Sequence, residues 1–197
     1  MEEKINLSVE NSTITFKNDG IILSSYGKNL FYFKYADIQT PYFSLIILAG
    51  REKNLKRVKK IITTYSALPV IREVIVVGNE SQSTDAIAEL SNVKFTINEK
   101  PNDPISVSVK KGICLLSNYS EFSIMVFANR KILPKEKMNK FMQIVYSQNV
   151  DVAVLIEKGK RTHPIVFSAE ALQKIRKIRK EQGIRYYIKK FSKEVAL

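Results

Sequence analysis

The sequence predicts an α/β protein built on a mixed, mostly parallel sheet flanked by helices, with a small antiparallel β meander at its amino-terminal end. Three observations predict it. The first is Phe43-Ser-Leu-Ile-Ile-Leu-Ala-Gly50, a short apolar run that stops on a glycine. The second is the pair formed by the basic, helix-prone stretch Arg51–Ile62 and a further β-branched run, Glu73–Val77, which ends at Gly78-Asn79. Two such runs joined by a helix form a βαβ unit, because parallel neighbours need a crossover connection. The third is a period near two over residues 4–35, which differs from everything that follows. In parallel sheets ligands gather at the carboxyl ends of the strands, here near Gly50 and Gly78-Asn79.

The elements follow in order. Ile5, Leu7 and Val9, then Ile14 and Phe16, then Ile21 and Leu23, then Leu30 and Tyr32 alternate with polar residues. Asn18-Asp19-Gly20 and Tyr26-Gly27-Lys28-Asn29 lie between them as hairpin turns, since Gly and Asn tolerate positive φ. Residues 1–41 thus form a β appendage, with Asp37–Pro41 as the linker into a main domain of residues 42–197. There a strand at 43–48 precedes a helix at about 52–66, a strand at 73–77 and a helix at about 83–90. Ser81, Ser83, Thr84 and Asp85 offer side chains to cap that second helix. A strand at 94–97 leads through the polar loop 98–104 into a helix at 106–116 and a buried strand at 123–128. Pro134 opens a helix that runs to about Ser147. Strands at 150–156 and 164–167 flank a turn at Gly159. Ser168 caps a last helix, 169–182, which Gly183 ends; Leu172, Ile175 and Ile178 form its apolar stripe.

Composition bounds the function. A chain of 197 residues that is 45% hydrophobic can bury a sizeable core. Its single cysteine, Cys114, excludes an internal disulfide and a cysteine-based metal cluster, and the series Ile113-Cys-Leu-Leu116 reads it as a buried small hydrophobe. No apolar run approaches the roughly 18 residues of a membrane span, and Met1-Glu-Glu-Lys4 does not resemble a signal peptide, so a cytoplasmic protein is expected. The net charge is +13. Between Lys158 and Lys193 twelve Lys or Arg stand against Glu170 and Glu181 alone. Such a region attracts phosphate-bearing or other anionic partners, and equally describes a solvated helix face. Tyr186, Tyr187 and Phe191 among Arg185, Lys189 and Lys190 could stack nucleic-acid bases, although at helical spacing Tyr187 and Phe191 read as packing residues.

Three segments together resemble the MobA/MocA-like nucleotidyltransferases. They are Leu45-Ile-Ile-Leu-Ala-Gly50, Pro104-Ile-Ser-Val-Ser-Val-Lys-Lys-Gly-Ile113, and Arg161-Thr-His-Pro-Ile-Val-Phe-Ser168 followed by Gly183-Ile-Arg185. The resemblance covers about 43–190. It implies a three-layer GT-A (Rossmann-like) fold and the transfer of CMP or GMP from CTP or GTP to molybdopterin with Mg2+. It further implies that Leu48, Ala49, Gly50, Arg51, Gly78, Asn79, Ser106 and Ser108 bind the nucleotide, and that Thr162, His163, Pro164 and Arg185 face the second substrate. Two departures bear on activity. The family's glycine-rich loop is shortened here, because Leu48-Ala-Gly50 runs almost directly into a helix; Arg51, Lys53, Arg57 or Lys60 could replace its cations. The metal-binding aspartate is replaced by Asn129, whose neutral carbonyl is a poor substitute for a carboxylate on Mg2+.

Ser44-Leu-Ile-Ile-Leu-Ala-Gly-Arg-Glu-Lys-Asn-Leu-Lys-Arg57 and Arg72-Glu-Val-Ile-Val-Val-Gly-Asn-Glu-Ser-Gln-Ser-Thr-Asp85, within residues 44–90, also resemble the start of GT-A glycosyltransferases, whose acids would fall near Asn79, Ser81 and Asp85 and, centrally, near Asn129 and Lys131. Functional alternatives are therefore a GT-A glycosyltransferase-like protein and a non-enzymatic basic nucleotide- or nucleic-acid-binding protein. Considered without the family, the lone His163 beside a proline is more simply structural. Ser106 and Ser108 read as helix-start residues, Lys110 and Lys111 as solvated, and Asp85 and Asp103 as cap or turn residues.

Overall fold

Four short strands, β1 (Glu3–Asn6), β2 (Ser12–Lys17), β3 (Gly20–Ser25) and β4 (Lys28–Lys34), pair antiparallel in sequence order. Their registers, such as Ile14 opposite Leu23 and Phe16 opposite Ile21, place like residues of the period-two pattern across from one another. The computed structural model describes residues 3–6, 12–17, 20–25, 28–34, 42–52, 54–79, 93–99, 104–178 and 181–197. The chain divides into two units, Met1–Thr40 and Pro41–Leu197.

The second unit is a seven-stranded mixed sheet in the order β11-β9-β10-β8-β5-β6-β7. Its strands are β5 (Phe43–Leu48), β6 (Ile71–Gly78), β7 (Val93–Ile97), β8 (Phe122–Phe127), β9 (Val152–Glu157), β10 (Lys160–Ser168) and β11 (Ser192–Ala196). β8, β5, β6 and β7 are mutually parallel, β10 runs antiparallel to both β8 and β9, and β11 lies parallel to β9. Among the described residues five helices cover the sheet: α1 (Leu55–Ser66), α2 (Ile105–Cys114), α3 (Lys135–Ser147), α4 (Ala169–Lys177) and α5 (Glu181–Phe191). Among the described residues no helix is long and apolar enough to cross a membrane.

Two cores result from the strand period. Leu45 and Ile47 point to the face covered by Val58, Ile61, Ile62 and Tyr65 of α1 and by Met138, Phe141, Met142 and Val145 of α3. Ile46 and Leu48 point to the face covered by Val109 and Ile113 of α2, Leu172 and Ile175 of α4, and Ile184 and Tyr187 of α5. β5 is buried at every position, as expected for a central parallel strand with helices on both sides. α2 lies very close to the sheet: a Cβ at Gly112 would stand 2.7 Å from Ile46 Cγ2 and 3.2 Å from Val77 Cγ2.

Several expectations are corrected. The helix expected at 169–182 ends at Lys177, where Ile178 turns extended (φ −70°, ψ 119°), and a separate helix runs through Gly183. Burial of Ile184 and Tyr187 against the second core outweighs the local stop signal of that glycine. β11 carries no strand signal in the sequence, because in Ser192-Lys-Glu-Val-Ala196 only Val195 is buried. Cys114 is exposed, because the helical period turns its neighbours Gly112 and Ile113 inward and leaves it on the outer face of α2. The helix expected at about 83–90 lies outside the described residues, as do the turn residues 18–19 and 26–27 and the linker 37–41.

Candidate functional site

The parallel strands β5, β6 and β8 end side by side, with Leu48 in register with Val77 and with Phe127. Beyond these ends the chain must leave the sheet, and a cavity of about 340 Å³ opens there. Its floor is Leu48, Met125 and Phe127; Ile105, Val109, Ile165, Ile184 and Ile188 make its walls apolar. Polar groups enter from the rim: Arg51, Asn79, Asn98, Ser106, Ser108, Asn129, Arg130, His163 and Arg185.

Several rim groups have a structural cause for their position. Asn79 Nδ2 donates to the Gly50 carbonyl at 2.6 Å, tying the turn after β5 to the end of β6. Asn98 is buried after β7; its amide donates to Gly78 O at 2.9 Å and its Nδ2 to Ser108 Oγ at 3.1 Å, which fixes α2 against the strand ends. Lys111 Nζ reaches Ile97 O at 2.8 Å, so this lysine is anchored rather than merely solvated. The turn carrying Asn129 and Arg130 is held from α1, because Arg57 donates to the carbonyls of Ala128 and Arg130. That use, together with Glu52 at 3.4 Å, takes Arg57 out of contention as a pocket cation. On β10 the register shifts between Thr162 and Ile165, and the His163–Pro164 peptide is cis. His163 borders the cavity and packs edge-on to Phe127, with ring centroids 4.2 Å apart.

The electrostatics are one-sided. Arg51, Arg130 and Arg185 line the cavity, and no described lining residue carries a carboxylate. Burial, with the Arg130 charge adding to it, lowers the His163 pKa to about 4, so its imidazole is neutral near pH 7. His163 Nδ1 is buried and has no hydrogen-bond partner among the described residues.

Of the residues singled out from the sequence, Leu48, Gly50, Arg51, Asn79, Ser106, Ser108, Asn129, His163 and Arg185 meet at this cavity. Ala49 is wholly buried beneath it, its amide bonded to Val77 O at 2.8 Å. Gly78 lies behind Gly50, with its carbonyl 3.6 Å from where a Gly50 Cβ would stand. Pro164 borders a small cleft with Tyr65 and Leu133, and Thr162 lines neither space. Ser106 and Ser108 do not cap α2: Pro104 occupies the N-cap position and no side chain bonds there. Lys53, Asp85 and Asp103 lie outside the described residues. Sequence reasoning missed Asn98 and Arg130 as rim residues. Arg130 directly follows Asn129, and its basic character beside a strand end was the available signal.

Residues 54–195 match the family described as MobA-like NTP transferase domain. The chain belongs to this family. As a MobA-like domain it also has the expected company among solved structures. The manganese complex of Rv0371c from Mycobacterium tuberculosis H37Rv superposes with a TM-score of 0.64 at 8% identity, over 81% of this chain and 89% of that one. A 4-diphosphocytidyl-2C-methyl-D-erythritol synthase from Anaerococcus prevotii gives 0.62 at 14% identity, over 83% and 90%. A CMP:2-keto-3-deoxy-manno-octonic acid synthetase complexed with CTP gives 0.56 at 9% identity, over 81% and 91%. These likenesses establish the fold, a GT-A-like three-layer α/β domain. No curated protein sequence matches the chain.

The Mg2+ that the resemblance implies can be tested against the donors present. Among the described residues no group of three His, Cys, Asp or Glu is placed to hold a metal. Asn129 supplies a neutral carbonyl, and hard cations such as Mg2+ are held through carboxylates and phosphates. The described lining therefore does not fit a carboxylate-held divalent ion.

Proposed function

We propose that this MobA-like NTP transferase domain binds a nucleoside triphosphate, CTP or GTP, in the cavity at the ends of β5, β6 and β8. The observation that carries the reading is the convergence of the Gly50–Arg51 turn, Asn79, Ser106, Ser108 and Arg185 on one half-apolar space with a rim that, among the described residues, is cationic and without carboxylates. Apolar walls suit a base and ribose, while guanidiniums and amide N–H groups suit phosphate oxygens. The diphosphocytidyl-methylerythritol synthase and the CMP:2-keto-3-deoxy-manno-octonic acid synthetase complexed with CTP, both of similar fold, support a nucleotide and favour CTP.

In this reading the nucleotide lies over Leu48, Gly50 and Arg51, and a second substrate approaches from His163 and Arg185. Neutral His163 offers that substrate a hydrogen-bonding edge that carries no charge near pH 7. Molybdopterin is the second substrate that the family resemblance suggests. Nucleotidyl transfer is impaired relative to members that carry an aspartate where Asn129 stands. The exposed Tyr186 and Phe191, with Lys190 Nζ 5.7 Å and 5.3 Å from their rings, are the proposed contact for an additional anionic partner.

Calorimetric titration of the full chain with CTP, GTP, UDP-glucose and ADP tests the reading. Saturable binding of CTP or GTP in preference to the others is expected. Preference for UDP-glucose would favour a glycosyltransferase-like protein. Unselective binding that falls steeply with salt would instead mark a general polyanion binder.

A further inference from the structure

The arginines of the described chain sort into two groups. Outside the cavity, Arg57 bonds to two carbonyls and Glu52, Arg161 pairs with Glu194 at 2.7 Å, and Arg176 donates to Ile113 O at 2.9 Å. Arg72 stacks over the Tyr42 ring at 5.9 Å. At the cavity, the side chains of Arg51, Arg130 and Arg185 make no hydrogen bond or ion pair among the described residues. Three cations with no counterion among the described lining residues repel one another and repel any further cation. Such an arrangement persists where a multiply charged anion relieves it.

We propose that Arg51, Arg130 and Arg185 neutralise the phosphate chain of the bound nucleotide in place of a divalent cation. This inference rests on the nucleotide reading of the cavity and deepens it. A guanidinium is planar and permanently charged, and it can bind two phosphate oxygens at once, so three of them supply both the charge and the geometry that a metal clamp otherwise gives. Asn129 fits the same scheme. A neutral amide beside Arg130 can donate to phosphate, which a carboxylate there would repel. Arg57 and Asn79 act as positioning residues, holding the turns that present Arg130 and Arg51.

The test is calorimetric titration of the full chain with CTP and GTP, once in EDTA and once in excess Mg2+, at fixed moderate ionic strength. The expected result is saturable binding in EDTA that is at least as tight as in Mg2+. Arg51→Gln, Arg130→Gln and Arg185→Gln should each weaken binding in EDTA by about ten- to a hundredfold. These side chains are exposed, and unchanged melting temperatures would show that the variants fold. A Lys158→Gln, Lys160→Gln double variant, with both residues exposed and outside the cavity, should leave affinity within about threefold, separating the cavity from the general positive field. Binding that appears only with Mg2+ overturns the inference while leaving the nucleotide reading in place. Equal weakening by the lysine and arginine variants also overturns it. Absence of nucleotide binding under both conditions overturns both.

Discussion

His163 stands edge-on to Phe127, the last residue of β8, with ring centroids 4.2 Å apart. The contact draws an imidazole from the antiparallel hairpin over the end of a parallel strand. Burial and the nearby Arg130 charge then lower its pKa to about 4. The unfolded chain, with an ordinary histidine near 6.5, binds a proton that the folded chain refuses between these values. This part of the stability is therefore complete above about pH 6.5 and is lost as pH falls toward 4, by up to about 3 kcal/mol. Denaturant unfolding of wild type and His163→Gln between pH 4 and 7 checks it. The variant should show the shallower dependence on pH, and parallel curves would refute the assignment.

Gly112 sets how near α2 lies to the sheet. An added methyl meets Ile46 Cγ2 at 2.7 Å, with Val77 Cγ2 at 3.2 Å, and both are core side chains. Gly112→Ala is expected to destabilise by about 1–3 kcal/mol through overpacking, against the roughly 1 kcal/mol that alanine gains over glycine as a helix former. Because Ser106, Ser108 and Val109 sit on the same helix, nucleotide affinity should fall as well. Urea titration and calorimetry on the same sample would show both effects.

Glu73 is a buried carboxylate that accepts from Ser44 Oγ at 2.7 Å and pairs with Lys94 Nζ at 2.6 Å. The Ser117 amide also points to it, at 3.3 Å. It joins the beginnings of β5, β6 and β7, opposite the ends that bear the cavity. Glu73→Ala leaves Ser44 Oγ and the Ser117 amide without this acceptor, while half-exposed Lys94 keeps the Leu115 carbonyl and solvent, and it should cost about 1–3 kcal/mol. Nucleotide affinity, measured where the variant is still folded, should not change.

Asn129→Asp asks whether this position can host a metal. The variant should acquire saturable Mn2+ binding, followed by electron paramagnetic resonance, that wild type lacks. It should also bind CTP or GTP more weakly in EDTA, because a carboxylate now faces the phosphates beside Arg130. If neither change occurs, Asn129 is not at the phosphate end of the site.

The parts of this fold that could be read from sequence are those with strong periodic burial. β5 and β8 are apolar runs interrupted only by Ser44 and Ser123, and α1 and α3 carry buried residues at helical spacing, so local pattern and tertiary burial agree. The pattern misled where one signal stood against many contacts. Gly183 looks like a helix stop but lies within α5, because Ile184 and Tyr187 have a core to enter. β11 carries one buried residue and takes its strand form from pairing with β9 rather than from composition. The same limit applies to the site. Gly50, Asn79, Ser106 and His163 belong to recognisable segments, whereas Asn98 and Arg130 matter through position at strand ends, which only the sheet order reveals.

The cavity draws Arg51 from the first βα connection and Arg185 from the last helix, with rim groups from β6, β7, β8 and β10 between them. Its two sides meet only when the whole sheet has assembled, so no fragment of the domain offers the complete rim. Occupancy by a nucleotide therefore reports global folding and draws the folding equilibrium toward the native state. A free concentration a hundredfold above the dissociation constant would add about 2.7 kcal/mol to the stability of the domain. In a cell the abundance of this protein would then follow the supply of its nucleotide, with depletion exposing the domain to proteolysis.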